Sequence, residues 1–366
     1  KGGASYLYGN DSLAGAIIIT TKRSKGKSSS KAEAEAGSFG FKRALVSTNQ
    51  GFETGSFQLQ ATTRESDGYW DDAYLEHSSV NGKYKYYLND TSDITFGFDY
   101  TERETGDGTS VGSETAAKTD PKSENEVSYS GYYDTTFIKS FLTYSSDIDD
   151  TSNIMFNISS YLDDSTKYTS RNRNNPTFHD KFSDTKLKQN AVKSEYRKSF
   201  DNFAMMFGLD LQRNILESST FQTDATRVVG ARIAESKTNE NINAFYVELR
   251  NNITSSLSTT LNARYDNISY IYSDDFNSSM NIDPSYKIGS YRAGLNYKLN
   301  PKNSIYTNIS TGFRAPSAEQ ISENQEGITT YPTANIPSEL DPETTYNYEL
   351  GIRGDVEGIG YDAAIF

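Results

Sequence analysis

A chain of 366 residues with a formal net charge of -13, a mean hydropathy of -0.70 and only short apolar runs such as Ala16–Ile19 holds no membrane-spanning helix, which needs roughly 18 to 20 apolar residues. Its 27 Tyr and 19 Phe set it apart from disordered polar chains, which are poor in aromatic and β-branched residues. The lack of cysteine removes disulfides, thiolate metal sites and cysteine nucleophiles, and the acidic balance argues against a nucleic-acid partner, which calls for a clustered basic face.

The first 22 residues differ from all that follow. Gly2-Gly3-Ala4 and Tyr8-Gly9-Asn10 flank a short stretch, and Ala14-Gly15-Ala16-Ile17-Ile18-Ile19-Thr20-Thr21-Lys22 reads as a buried strand leaving a glycine turn. A basic Ser/Lys-rich linker occupies residues 23–30. It contains Gly26-Lys27-Ser28, which ends like a phosphate-binding loop, but position 21 is Thr where that motif needs Gly and no helix pattern follows.

From residue 31 onward one pattern repeats, in which about ten residues alternate apolar with polar and then meet turn residues. Ile94, Phe96, Phe98 and Tyr100 make one such set, and Ile154, Phe156, Ile158 and Ser160 another. Phe203, Met205, Phe207, Leu209 and Leu211 make a third, spoiled only by Met206. Phe245, Val247 and Leu249 continue it, then Leu257, Thr259, Leu261, Ala263 and Tyr265, and most clearly Tyr291, Ala293, Leu295, Tyr297 and Leu299. This alternation predicts an all-β fold, a transmembrane antiparallel β-barrel whose alternate residues meet lipid while their neighbours face a wet lumen. Low mean hydropathy follows from that geometry.

The connections alternate in length. Tight turns are predicted at Glu53-Thr54-Gly55, Asp149-Asp150-Thr151, Asp201-Asn202 and Pro301-Lys302-Asn303. Long polar loops are predicted over Glu65–Ser79, Thr105–Ser128, Asp163–Lys188, Ile215–Glu240, Ser269–Ile288 and Phe313–Thr344. Short turns on one side and long loops on the other place the turns in the periplasm and the loops outside the cell. Hairpin counting gives roughly fifteen strands, the last over Gly358–Phe366 with a free edge, so the barrel is expected to be partial.

Two blocks carry a family resemblance. The first is the Tyr8-Gly9 stretch leading into the apolar run that ends Thr21-Lys22; the second is Ser310-Thr311-Gly312-Phe313-Arg314-Ala315-Pro316-Ser317, with Leu340-Asp341-Pro342-Glu343-Thr344 and Tyr348-Glu349-Leu350-Gly351 downstream. Both resemble TonB-dependent outer-membrane receptors, the first the end of their plug domain and the second a strand end and returning strand of their barrel; Asp341 departs from the family, where Lys is frequent. The resemblance implies that residues 1–22 end a plug domain and that 31–366 form most of a barrel of about 22 strands, truncated on its C-terminal side. It implies a bulk of plug and a TonB-contacting segment upstream of Lys1. It further implies active transport across the bacterial outer membrane, of the ferric-siderophore type, with no enzymatic step and no intrinsic cofactor. The ferric chelate is then the transported ligand, and TonB, outer-membrane lipid and lipopolysaccharide are the partners.

Ligand-contact candidates fall in the predicted loops. Tyr69, Trp70 and Tyr74 cluster in one, and Tyr161, Tyr168, Arg171, Arg173, Phe178 and His179 in another. Aromatic faces and arginines suit a planar anionic ferric chelate through stacking and charge-assisted hydrogen bonds; the alternative is an interfacial aromatic girdle with solvated arginines. Arg314, left at the rim where Pro316 stops the ladder and Gly312 tolerates a bend, is expected to pair with Glu319 or Glu343 and fix the loop base, or else to be a solvated rim arginine. His77 and His179, the two histidines, both fall in predicted loops without metal-ligand spacing. Haem receptors of the resembled family usually place a histidine between Phe313 and Glu343, and none stands there. Acidic pairs such as Asp149-Asp150, Asp163-Asp164 and Asp274-Asp275 lack calcium-loop spacing and read as solvated turns. Haem, cobalamin or an oligosaccharide remain alternative cargoes; a passive porin or a purely binding barrel are alternative functions, the porin disfavoured by the plug-like block.

Overall fold

The computed structural model describes residues 4–13, 15–17, 28–107, 113–122, 131–169, 180–223, 228–276, 278, 281–316, 320 and 340–366. They form fifteen strands: β1 Ser29–Ala36, β2 Lys42–Phe52, β3 Gly55–Ser66, β4 Leu75–Tyr87, β5 Ser92–Asp107, β6 Gly131–Asp149, β7 Ser152–Thr169, β8 Asp180–Ser199, β9 Phe203–Thr223, β10 Val229–Asn252, β11 Leu257–Asp274, β12 Ser285–Asn300, β13 Asn303–Arg314, β14 Glu343–Val356 and β15 Ile359–Ile365. Two short helices complete the inventory of the described residues, α1 Ser5–Tyr8 and α2 Glu114–Thr119. Each strand pairs with its chain neighbours in one sheet of order β1 to β15, and the sheet is open with β1 and β15 at its edges. The pairings are antiparallel throughout. A meander of this kind needs only tight turns, because an antiparallel neighbour starts where its predecessor ends.

Turn chemistry fixes the register at one end. Between β6 and β7, Asp149 Oδ1 accepts the Thr151 N–H at 2.8 Å and its hydroxyl at 2.7 Å, and Lys198 Nζ sits 3.0 Å from the carboxylate. The Thr151 hydrogen bonds, more than Lys198, hold the Asp149 carboxyl well below the usual range. An aspartate that hydrogen-bonds the backbone two residues on is the local device that makes so short a reversal.

The expected alternation is present in space. Phe96 and Phe98, Phe156 and Ile158, Phe207 and Leu209, Leu261 and Tyr265, and Tyr291, Leu295 and Tyr297 all stand exposed on one face. A patch of this size on a water-soluble protein would aggregate; against hydrocarbon it is the seat of the membrane. Met206, the residue that spoiled the pattern, turns to the other face with Gly208 and is 8% exposed.

The loops are shorter and the strands longer than the sequence suggests. Strand β10 has 24 residues, ~80 Å at about 3.3 Å per residue, against the roughly 9 to 11 residues needed to cross a bilayer. Of the expected loop Ile215–Glu240, only residues 224–228 lie between strands; Asp163–Lys188, Ser269–Ile288, Glu65–Ser79 and Phe313–Thr344 are likewise entered from both sides by strands, and Thr105–Ser128 from its first side by β5. The physical reason is that above the membrane both faces meet water, so the hydrophobic period disappears while the backbone ladder continues. Cross-strand ion pairs replace the apolar signal there, Lys237 with Glu217 at 2.8 Å and Lys186 with Asp164 at 2.5 Å.

The expected buried strand over Ala14–Lys22 is not formed where it can be followed: Gly15 to Ile17 are irregular and Ile17 is 93% exposed. Among the described residues no strand of the sheet pairs with Gly15 to Ile17, and an apolar segment without a ladder stays irregular. The rest of that run, apart from Gly15 to Ile17, lies outside the described residues.

Candidate functional site

The face opposite the lipid belt is the lumen face, and residues 4–13 are seated on it, with α1 packed against β11, β12 and β13. Strand pairing prepares the seat. The β12–β13 ladder ends at Arg292 opposite Ser310, so the last residues of β13 have backbone groups free of β12. Ser5 fills that role: its Oγ accepts the Phe313 N–H at 2.9 Å and donates to the Phe313 carbonyl at 3.4 Å. Asn10 Oδ1 accepts the Ala315 N–H at 2.8 Å. Side chains of the N-terminal segment therefore continue the ladder that β12 abandons, a satisfaction that buried backbone requires.

Beneath this contact lies an apolar cluster of Ile268, Tyr270, Ile288, Phe313 and Ala315, all 8% exposed or less. Full burial of an Ile or Phe contributes roughly 1.5 to 3 kcal/mol, so the cluster anchors the strand end firmly. Tyr270 and Tyr286, above the lipid belt, have hydroxyls pushed above their ordinary titration range, first by burial and then by Glu240 and Asp341 respectively. Gly312 is needed for close approach and not for the bend expected from sequence: a Cβ there would lie 3.0 Å from the Leu13 Cα and 3.1 Å from its carbonyl oxygen.

Deeper in the lumen a buried charge network holds the same segment. Arg264 is 4% and Asp266 0% exposed, and the guanidinium meets the carboxylate through Nε at 2.9 and 3.0 Å and Nη2 at 2.8 Å. Asp210 lies 3.4 Å away on β9, and Nη1 donates to the Leu7 carbonyl at 3.4 Å. The Tyr246 ring stacks under the guanidinium at 5.4 Å, with its hydroxyl on Glu195 at 2.8 Å. Gly9, at φ +74, is the other glycine the seat requires, since a Cβ would stand 2.7 Å from Arg264 Nη2. Arg292 adds a cation over the Tyr6 ring at 5.5 Å. Sequence reasoning passed over Arg264, Asp266, Asp210, Arg292, Ser5 and Asn10. The signal for the first pair was present, an Arg and an Asp two apart on the polar parity of a strand whose other parity is apolar.

The residues expected to bind ligand are dispersed. Tyr69 and Trp70 stand on the β3–β4 connection, each 43% exposed and edge-to-face at 5.7 Å, with Phe39 of the β1–β2 connection 5.5 Å from Tyr69. Tyr74 is tied to its own loop base, its hydroxyl donating to Glu104 at 2.5 Å. Tyr161 and Tyr168 are not loop residues but lie on β7; Tyr168 is 4% exposed and stacked on Tyr132 at 5.9 Å. His77, also expected in a loop, lies on β4. Both corrections follow from the ladder continuing above the membrane. Arg171, Arg173, Phe178 and His179 lie outside the described residues, as does Glu319.

Among the described residues, which leave out the expected partner Glu319, Arg314 is neither solvated alone nor paired with Glu343. It stands opposite Glu343 in register, but its Nε pairs with Asp11 of the N-terminal segment at 3.4 Å. The pair is 41% and 69% exposed, so Arg314→Ala should cost less than about 1 kcal/mol. Ser5→Ala should cost more, about 1 to 3 kcal/mol, because the Phe313 N–H then loses its partner in a dry site. Amide exchange at Phe313 in the full-length protein separates the two: it should rise sharply in Ser5→Ala and hardly in Arg314→Ala. Equal effects would show that Ser5 is not the anchor.

The fold has relatives. No curated protein matches the chain. Among solved structures it resembles the ferric yersiniabactin uptake receptor FyuA from Yersinia pestis (TM-score 0.77, 15% identity, 100% of this chain and 58% of that one). The unliganded ferric citrate transporter FecA gives a TM-score of 0.82 at 12% identity over 99% of this chain and 55% of that one. The copper transporter OprC gives 0.80 at 14% identity over 100% and 57%. The chain thus spans rather more than half the length of these proteins, and at such identities the likeness is one of fold. A family model described as TonB dependent receptor-like, beta-barrel, matches residues 37–366, nearly the whole meander and its lipid-facing belt; the chain belongs to the TonB-dependent receptors, a family of outer-membrane β-barrels that are transport receptors and not enzymes.

Proposed function

We propose that the whole protein takes up a ferric siderophore across the bacterial outer membrane, using energy delivered by TonB. On this reading residues 1–22 end the plug, 23–30 link it to the barrel, and 31–366 are barrel. The observation that carries the transport reading is the seat of residues 4–13 on the lumen face, held by Ser5, Asn10 and Arg264. A segment bonded across three strands obstructs a bore, so passage requires work on that segment, which a passive porin has no means to apply. The ferric cargo is supported by the named functions of FyuA and FecA and by the exposed aromatic pair Tyr69 and Trp70, whose faces suit a planar chelate. Arg171, Arg173 and His179 remain candidate ligand contacts on the same reading. Outer-membrane lipid and lipopolysaccharide surround the belt.

The test is uptake of radiolabelled ferric siderophores by iron-starved cells that express the full-length protein, with and without TonB. Uptake that needs both the receptor and TonB is the expected result. OprC, of the same fold, is a copper transporter, so copper is the control cargo. TonB-independent flux would return the protein to the porin class, and TonB-dependent uptake of copper, haem or cobalamin alone would overturn the siderophore assignment.

A further inference from the structure

A row of basic residues, three arginines and a histidine, crosses the lumen face of the first strands near their loop end. Register places Arg43 opposite Arg64, Arg64 opposite His77, and His77 opposite Arg103, so basic side chains stand on four adjacent strands, β2 to β5. Strand parity puts them on the face opposite Val46, Leu59, Val80 and Phe98, which are exposed to lipid. Like charges directly opposite one another destabilise a sheet.

Among the described residues neutralisation of the row is incomplete. Arg43 is matched by Glu35 at 2.8 Å. Arg64 lies over the Phe41 ring at 5.5 Å and Arg103 Nε donates to Thr105 Oγ1 at 3.1 Å, and among the described residues neither has a carboxylate at ion-pair distance. The glutamates beside them in sequence, Glu65, Glu76 and Glu104, fall on the opposite face by the same parity, where Lys42 meets Glu65 at 2.6 Å and the Tyr74 hydroxyl meets Glu104. Those outward glutamates also show that the row lies above the lipid belt. His77 between the arginines has its imidazole held below the ordinary value by burial, then by Arg103 and Arg64, with Asp99 opposing. The row, with Thr62, Thr101 and Phe137, lines a recess of about 470 Å³, within the size range of small-molecule sites.

We infer that this row is a binding site for an oligoanionic small molecule whose carboxylate or phosphate oxygens are taken between Arg64 and Arg103, long side chains whose backbones stand two strand spacings, about 10 Å, apart. Guanidinium forks take such oxygens two at a time, and strand-borne arginines hold their spacing better than loop residues. The inference rests on the receptor reading for its placement in the bore, and it names the charge class of the cargo.

The test uses the full-length receptor in detergent, titrated calorimetrically with citrate and, separately, with pyrophosphate. At least one binds, with an affinity that falls as salt rises. The double variant Arg64→Gln/Arg103→Gln, checked for native heat-modifiable mobility, weakens that binding by about tenfold or more, the loss expected for charge-assisted hydrogen bonds. Arg43→Gln changes it less, since Glu35 already engages that charge. Tighter citrate assigns a carboxylate ligand and tighter pyrophosphate a phosphate one. A second readout follows the His77 imidazole by NMR, assigned through His77→Gln: sulfate, which does not titrate in this range, raises its midpoint by favouring the protonated ring. The charged groups facing that ring are Arg64 on β3 and Arg103 and Asp99 on β5. Absence of binding by both probes, an unaffected double variant or an unmoved midpoint overturns the site. Citrate binding at this row without ferric uptake would sink the transport reading alone; ferric uptake unaltered in the double variant would sink this inference alone.

Discussion

Arg264→Met should destabilise the barrel by about 3 to 5 kcal/mol, the loss typical when one partner of a buried ion pair is removed. The magnitude follows from what is left behind. Asp266 is 0% exposed and takes all its charge compensation from the Arg264 guanidinium at 2.8 to 3.0 Å, and Asp210 stands close enough to add repulsion once that cation is gone. Methionine keeps the unbranched apolar stem of the side chain but neither the guanidinium over Tyr246 nor its charge. The double variant Arg264→Met/Asp266→Leu should regain most of the loss, because replacing both members of a buried pair by apolar groups is often neutral. Urea unfolding of the full-length protein in lipid or detergent measures both. A single-variant loss below about 1 kcal/mol, or a double variant worse than the single, would mean that the network is not the keystone of this face.

Gly312→Val should lift the N-terminal segment from its seat while the barrel stays folded. The contact that decides this is backbone against backbone: a Cβ at 312 meets the Leu13 Cα at 3.0 Å and its carbonyl at 3.1 Å, which cannot rotate away, whereas Thr345 Oγ1 at 2.8 Å can. Alanine needs a shift of tenths of an ångström; the branched valine adds methyl groups where the segment runs. Overpacking of this kind costs about 1 to 3 kcal/mol, which corresponds to roughly five- to a hundredfold faster amide exchange over residues 5–13. Amides of the β13–β14 ladder further along, from Ser310 and Asn347 to Asn303 and Gly354, should keep their protection, because Leu13 meets that ladder only at its Gly312–Thr345 end. If exchange over the segment is the same in wild type and Gly312→Val, the close approach has no energetic consequence.

How much of this was legible in the chain varies with the forces involved. The lipid-facing sets such as Tyr291, Leu295 and Tyr297 were readable because hydrocarbon demands an apolar residue at every second position over a whole crossing. The turns at Asp149 and Pro301 were readable because reversal over so few residues restricts side-chain chemistry. Strand ends were not. Above the membrane β9 and β10 pair through Glu217 and Lys237 with water on both faces, and nothing in a polar run distinguishes a ladder from a loop. For the same reason Tyr168 and His77 passed for loop residues.

Sequence alone determined the fold class, the direction of the strands, the two faces of each and the family, all of them consequences of local rules: period two, turn residues and two short motifs. Only the tertiary structure decided what the motifs are for. Ser5 and Phe313, 308 positions apart, meet because β13 leaves β12 at Ser310 and exposes backbone donors that a distant hydroxyl completes. Arg314 was visible as a charge, but its partner Asp11 was not. The arginine row was likewise hidden, since Arg43, Arg64, His77 and Arg103 become neighbours only through hairpin register, and a pairing between strands is a property of geometry that no single stretch of chain contains.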